Sequence, residues 1–137
     1  MPIITKFIGI VGSRPPKNND NRNLEIWNNL QIHLANWLKE NLKQDHCLVS
    51  GMAAGVDSLG ETFARENRIA YLIFPPKELS WTWFHARNKQ IVDNSNIVYG
   101  WTTPWSRGTD DTLKMAKESG KLGKRFEVSD YENSSKI

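Results

Sequence analysis

The sequence holds a single cysteine, Cys47, so an intrachain disulfide is impossible and a zinc site built on several thiolates is excluded. Cys47 falls in a predicted strand, Cys47-Leu48-Val49, where a thiol is ordinarily structural and inert. No apolar run approaches the roughly 20 residues that cross a bilayer. The stretch from Met1 to Gly12 lacks the basic start, apolar core and cleavage site of a secretory leader. No membrane partner is expected, and the expected location is cytoplasmic. No group of His, Asp, Glu or Cys has metal-ligand spacing, and no serine stands in a G-x-S-x-G elbow. The sequence therefore calls for no metal and no cofactor, and a nucleophilic hydrolase is not expected. No Lys-Ser or Lys-Thr follows a glycine at the spacing of a Walker loop. Gly9-Ile10-Val11-Gly12 lacks the third glycine of the dinucleotide fingerprint and does not open a helix directly, which argues against NAD.

What is present is ordinary globular material. With 39% hydrophobic and 24% charged residues, the body of the chain has the composition of a folded domain, not of a disordered one. A length of 137 residues suits one domain with a real core. A net charge of +3 favours an anionic ligand without requiring nucleic acid, because the basic residues are scattered and form no dense run.

Hydrophobic patterning alternates strand and helix. Lys6 to Val11 reads as a buried strand that stops at Gly12-Ser13-Arg14-Pro15-Pro16. Leu24, Trp27, Leu30, Leu34, Trp37 or Leu38, and Leu42 recur every three or four residues, predicting a helix over Leu24–Leu42 with a core-facing stripe. His46–Ser50 is a second strand. Ser58-Leu59-Gly60-Glu61 has the form of a capping box, predicting a helix from Asp57 or Ser58. Ile69–Phe74 is a third strand, Trp81–Phe84 an aromatic loop, and His85–Val92 a short helix. Asn96–Trp101 is a fourth strand, Thr109–Ser119 a helix that Gly120 to Gly123 ends, and Arg125–Ser129 a fifth, edge strand. The expected fold is α/β: a single Rossmann-like three-layer domain over 1–130, with a mostly parallel sheet of about five strands and helices on both faces. Residues 131–137 are expected to form a flexible tail.

In such sheets ligands bind beyond the carboxyl ends of the strands, where strand order reverses. Three turns are expected on that edge: Gly12-Ser13-Arg14, the stretch Ser50-Gly51-Met52-Ala53-Ala54-Gly55-Val56-Asp57, and Ser106-Arg107-Gly108-Thr109. Glycine lets a phosphate approach backbone N–H groups closely, and two of these turns open helices whose free amides favour an anion. Arg14 and Arg87 can each give a phosphate two parallel donors, or can be surface ion pairs. Asn88 can bond a sugar hydroxyl or cap its helix. Asp57 can cap its helix, or accept from a ribose hydroxyl or a base amine; beside a phosphate it would be repelled.

In their order and spacing, these turns together with Ala86-Arg87-Asn88-Lys89-Gln90-Ile91-Val92 resemble the motifs of the SLOG superfamily. Within it the chain is most similar to the Rossmann-like domain of the DNA-processing protein A (Smf/DprA) family and to small relatives of the YspA type. The resemblance covers about Phe7 to Gly120. It implies a Rossmann-like fold, frequent dimers, and binding of nucleotides, nucleotide-derived signals or, in the DNA-processing branch, single-stranded DNA. Known DNA-processing proteins carry extra domains around this core that 137 residues do not accommodate. The superfamily also holds the "Lonely guy" phosphoribohydrolases, with a P-G-G-x-G-T turn and paired glutamates. Here Ser106-Arg107-Gly108-Thr109-Asp110-Asp111-Thr112 stands in that place. Arg87 matches their arginine, Asp110 or Asp111 lies near their acidic position, and both glutamates are missing. An acid one methylene shorter must be moved to serve the same geometry.

Three functions follow as expectations. The first is binding of a nucleotide or nucleotide-derived phosphate ligand, with Gly12, Ser13, Ser50, Gly51, Gly55, Ser106, Gly108 and Thr109 around the phosphate, helped by Arg14 and Arg87, and with Asp57 and Asn88 on sugar or base. The second is a nucleotide N-glycosidase with Arg87, Asp110 and Asp111 as catalytic candidates. The third is a single-stranded DNA module in which Trp81, Trp83, Phe84, Trp101 and Trp105 stack bases. The same tryptophans equally suit a core or a homodimer interface.

Overall fold

The computed structural model describes residues 3–132. Ten elements alternate along the chain: β1 (Lys6–Gly12), α1 (Asn21–Asn41), β2 (His46–Ser50), α2 (Val56–Glu66), β3 (Ala70–Ile73), α3 (Trp81–Asp93), β4 (Ile97–Trp101), α4 (Gly108–Glu118), β5 (Leu122–Phe126) and α5 (Val128–Tyr131). The five strands form one parallel sheet in the order β3-β2-β1-β4-β5. Side chains alternate between the two faces of a strand, and the core divides accordingly. Ile8, Ile10 and Leu48 pack with Leu30, Leu34 and Leu38 of α1, Val56 and Ala64 of α2, and Tyr131 of α5. Val11, Val49 and Val98 pack on the other face with Ile91 of α3 and Leu113 and Ala116 of α4. The first half of the chain thus winds outward from β1 to β3 on one face. α3 then carries it back past β1 to β4 on the other. β1 and β4 are neighbours whose connections leave in opposite directions, and this reversal opens a crevice between their ends.

The predicted α/β fold is present, with differences at element boundaries that have physical causes. α1 begins at Asn21, because Asp20 caps it by accepting the Asn23 N–H at 2.8 Å. Leu24, expected in the core stripe, is exposed, and Ile26 and Asn29 occupy buried positions instead. Trp81–Phe84 is not a loop but the first turn of α3, capped by Ser80. No Ser58–Glu61 capping box forms. Ser58 donates to the Gly55 carbonyl, and Glu61 accepts from Ser50 Oγ at 2.6 Å. β5 starts at Leu122, earlier than expected, and contains Gly123. A Cβ there would meet the Tyr99 ring at 2.6 Å, so this glycine permits strand packing where it reads as a stop.

Two aromatic residues are corrected outright. Trp101, a stacking candidate, is 0% exposed and lies against Phe126, with ring centroids 4.7 Å apart. Its indole N–H donates to Nδ1 of His33 at 3.0 Å, which requires that nitrogen to be unprotonated. Burial accordingly lowers the His33 pKa. Tyr131, expected at the head of a loose tail, is buried, and its hydroxyl donates to the carbonyls of Phe126 and Thr102 at 2.8 and 3.1 Å. The rest of the expected tail, 133–137, lies outside the described residues. Tyr131→Phe should therefore destabilise the domain by about 1 kcal/mol, the net worth of a buried hydrogen bond. Thermal denaturation would read this as a fall in Tm of roughly 4 °C; an unchanged Tm would remove Tyr131 from the fold's anchors.

Candidate functional site

Because all strands run parallel, the turns that follow β1, β2 and β4 emerge on one edge of the sheet. They do not use their amides alike. Ser13 N–H donates to the Trp101 carbonyl at 2.9 Å, and the Ser13 carbonyl accepts the Val56 N–H at 3.1 Å. This second bond docks the start of α2 onto the first turn. It requires Gly55, whose φ is +89° and whose Cα presses on the Ser13 carbonyl, leaving no space for a Cβ. Ala53 N–H donates to the Asp57 carboxylate at 3.3 Å. The second turn thus spends the Val56 and Ala53 amides on structure.

At the third turn the glycine is not pressed against its neighbours. α4 opens at Gly108 with no side-chain cap, and Gly108 has open space where a Cβ would stand. Among the described residues, the amides of Gly108 and Thr109 find no acceptor. The turn is braced from behind by hydroxyls. Ser13 Oγ lies 2.7 Å from Thr103 Oγ1, which lies 3.0 Å from Ser106 Oγ, and Ser106 Oγ also accepts the Thr103 N–H at 2.9 Å. The Trp105 indole N–H closes the frame by donating to the Arg14 carbonyl at 2.8 Å.

Between these turns lies a cleft of about 740 Å³. Gly12, Ser13, Arg14, Asp57, Arg87, Asn88, Ser106, Gly108 and Thr109 line it, so nine residues singled out in the sequence meet there. Ser50, Gly51 and Gly55 do not line it. Ser50 is buried behind, bonded to Glu61, and Gly51 presents its carbonyl to an Nη of Arg87. Asp110 pairs with Arg125 at 2.7 Å, and Asp111 takes the His85 ring nitrogen at 2.9 Å. Neither aspartate lines the cleft, so the structure does not assemble them with Arg87 as a catalytic group. Trp81, Phe84 and Trp105 line its wall, whereas Trp83 turns away to Glu78.

Arg87 is 8% exposed, although it carries a charge. Its Nε donates to Asn88 Oδ1 at 2.9 Å, and Phe84 covers one face, with its ring centroid 5.9 Å from the guanidinium carbon. Burial lowers its pKa, opposed by the charge of Asp57. Asn88 in turn donates to Asp111 at 3.0 Å. Each end of the Asn88 amide thus makes a bond within the protein, which fixes its orientation where it lines the cleft. Asp57 is 4% exposed and is the one carboxylate among the described residues that lines the cleft. Burial raises its pKa to about 7, with Glu61 adding to the rise and Arg87 and the Ala53 and Gly51 amides opposing it. Thr103, Lys17 and Arg107 escaped the sequence reading. Thr103 had no local signal at all, since its role depends on Ser13 reaching it from ninety positions away.

No family model and no curated protein matches the sequence. Solved structures do. DNA processing protein A from Helicobacter pylori, described with a single-stranded DNA binding mode, superposes with a TM-score of 0.51 at 20% identity, covering 85% of this chain and 63% of that one. DNA processing protein A from Streptococcus pneumoniae gives a TM-score of 0.48 at 17% identity, covering 91% of this chain and 60% of that one. The chain thus spans less than two thirds of either protein. The likeness to the first shows a shared Rossmann-like fold.

The state of Asp57 is measurable. Its folded pKa of about 7 exceeds the ordinary 3.8, so the fold favours the neutral carboxyl. The stability this gives is full below about pH 4 and is lost as pH rises through 7. Asp57→Asn escapes that loss. The Tm of the variant relative to the wild type should climb from pH 5 to pH 8, by an amount corresponding to a few kcal/mol at most. A pH-independent difference would show that Asp57 titrates as an ordinary carboxylate.

Proposed function

We propose that the chain binds a nucleotide or nucleotide-derived ligand through its phosphate, in the cleft at the β1/β4 reversal. The observation that carries this reading is the uncapped start of α4. There the amides of Gly108 and Thr109, without acceptors among the described residues, face the cleft that Arg87 also lines. Such an end binds anions through its dipole and free donors. Arg14, Lys17 and Arg107 add positive charge to the same lining. The carboxylates nearest the turn, Asp110 and Asp111, have their charges answered by Arg125 and by His85 and Asn88. The volume lies within the range of small-molecule sites, roughly 300–1,000 Å³.

A second reading has its own support. Trp81 is 58% exposed at the cleft and Trp105 also lines it, so aromatic faces and basic side chains are interleaved as in single-stranded nucleic-acid grooves. The structurally similar Helicobacter pylori protein binds single-stranded DNA. This reading extends the first, since one phosphate subsite serves both ligands.

Thermal shift with mono-, di- and cyclic nucleotides and with a deoxyoligonucleotide separates them. Nucleotides should raise Tm once they exceed their Kd. Arg14→Ala should weaken binding about tenfold, the loss of a charge-assisted contact. If only the oligonucleotide stabilises, with an affinity that falls steeply with salt, the second reading replaces the first. If nothing stabilises, both fail.

A further inference from the structure

Asp57 and Arg87 line the cleft side by side, yet they make no ion pair within 4.0 Å among the described residues. Each feels the other's charge. Asp57 keeps acceptor capacity and Arg87 keeps a donor. Arg87 uses Nε on Asn88 and one Nη on the Gly51 carbonyl, and its second Nη has no acceptor among the described residues. The Asp57 carboxylate holds the Ala53 N–H and lies near that of Gly51, which leaves part of its acceptor capacity unused. Both side chains are more than nine-tenths buried.

We propose that Asp57 and Arg87 together grip the 2′,3′-diol of a ribose, so that the cleft selects ribonucleotides over 2′-deoxyribonucleotides. The inference rests on the reading of the cleft as a nucleotide site and specifies which nucleotides enter it. Three considerations lead to the diol. A carboxylate repels phosphate, so Asp57 must serve an uncharged donor. Both groups are more than nine-tenths buried, which favours a small hydroxyl over the flat edge of a base, and the Ala53 amide already holds one of the two Asp57 oxygens a guanine would need. A hydroxyl fits. Two hydroxyls on adjacent carbons do what one cannot: the first donates to the carboxylate while the second accepts from the guanidinium. The sugar is then held on the α2 side of the β1/β4 reversal, with the phosphate directed to α4 and the base toward Trp81 and Phe84.

The test compares each of the four ribonucleoside 5′-monophosphates with its 2′-deoxy counterpart by titration calorimetry on the full chain, buffered at about pH 8 so that Asp57, with its pKa of about 7, is ionised. Each ribonucleotide should bind about tenfold or more tightly than its partner, whatever the base, as loss of a hydrogen bond to a charged group implies. Asp57→Asn should narrow that ratio. Equal affinities within the pairs would overturn the diol assignment and leave phosphate binding standing. A preference that follows the base and not the sugar would overturn it in favour of base reading. Absence of binding by all eight compounds would overturn the nucleotide reading itself, and this inference with it.

Discussion

A guanidinium taken out of water must have its donors matched and its charge answered, or the fold loses several kcal/mol. Arg87 meets most of that demand with groups from separate parts of the chain, the Gly51 carbonyl after β2, Asn88 beside it on α3 and the field of Asp57 at the head of α2, and leaves one Nη without an acceptor among the described residues. The consequences spread outward. Asn88, having accepted from Arg87, has its amide oriented to donate to Asp111. Asp111 then takes His85. One chain of polar contacts thus ties the end of β2 to the middle of α3 and the first turn of α4. It fixes one wall of the cleft without filling it.

The backbone divides the same labour. Glycine-rich turns after parallel strands look interchangeable, but their glycines serve different ends here. At the second turn, Gly55 brings α2 close enough for Val56 to bond Ser13, so glycine serves packing. At the third, Gly108 has nothing near it, and the helix that follows lacks a side-chain cap. The Ser13–Thr103–Ser106 hydroxyls and the Trp105–Arg14 bond hold this open turn against the closed ones.

Much of this was legible in the sequence, and the division has a physical basis. Strand–helix alternation and the three turns follow from local patterns, and local patterns decide which elements form and in what order. Leu30, Leu34 and Leu38 are buried as their spacing requires. What escaped depends on partners far along the chain. Trp101 beside a polar turn suggests stacking, until α1 brings His33 to its indole. Gly123 resembles a helix stop until Tyr99 leans over it. Asp110 and Asp111 share a sequence motif yet point to different neighbours, Arg125 and His85, because adjacent positions on a helix face different directions. Tyr131 stands past the last recognisable strand, and only its hydroxyl's reach to Thr102 shows that the fold continues that far.

The polarity of the cleft follows from topology. α2 and α4 lie on opposite faces of the sheet, and each points its start toward the β1/β4 reversal. The α2 start already carries a carboxylate, Asp57, which answers its dipole from within. The α4 start carries Asp110 and Asp111, but both side chains are drawn off to other partners and leave the amides of Gly108 and Thr109 facing the cleft. Two helix ends that would otherwise be equivalent anion sites are thereby made unlike: one neutralised and suited to a neutral hydroxyl, the other open to negative charge. A ligand with a phosphate at one end and hydroxyls further along matches that asymmetry in only one orientation. For a ligand of the kind proposed, that asymmetry would set its direction in the cleft, which Arg87 also lines.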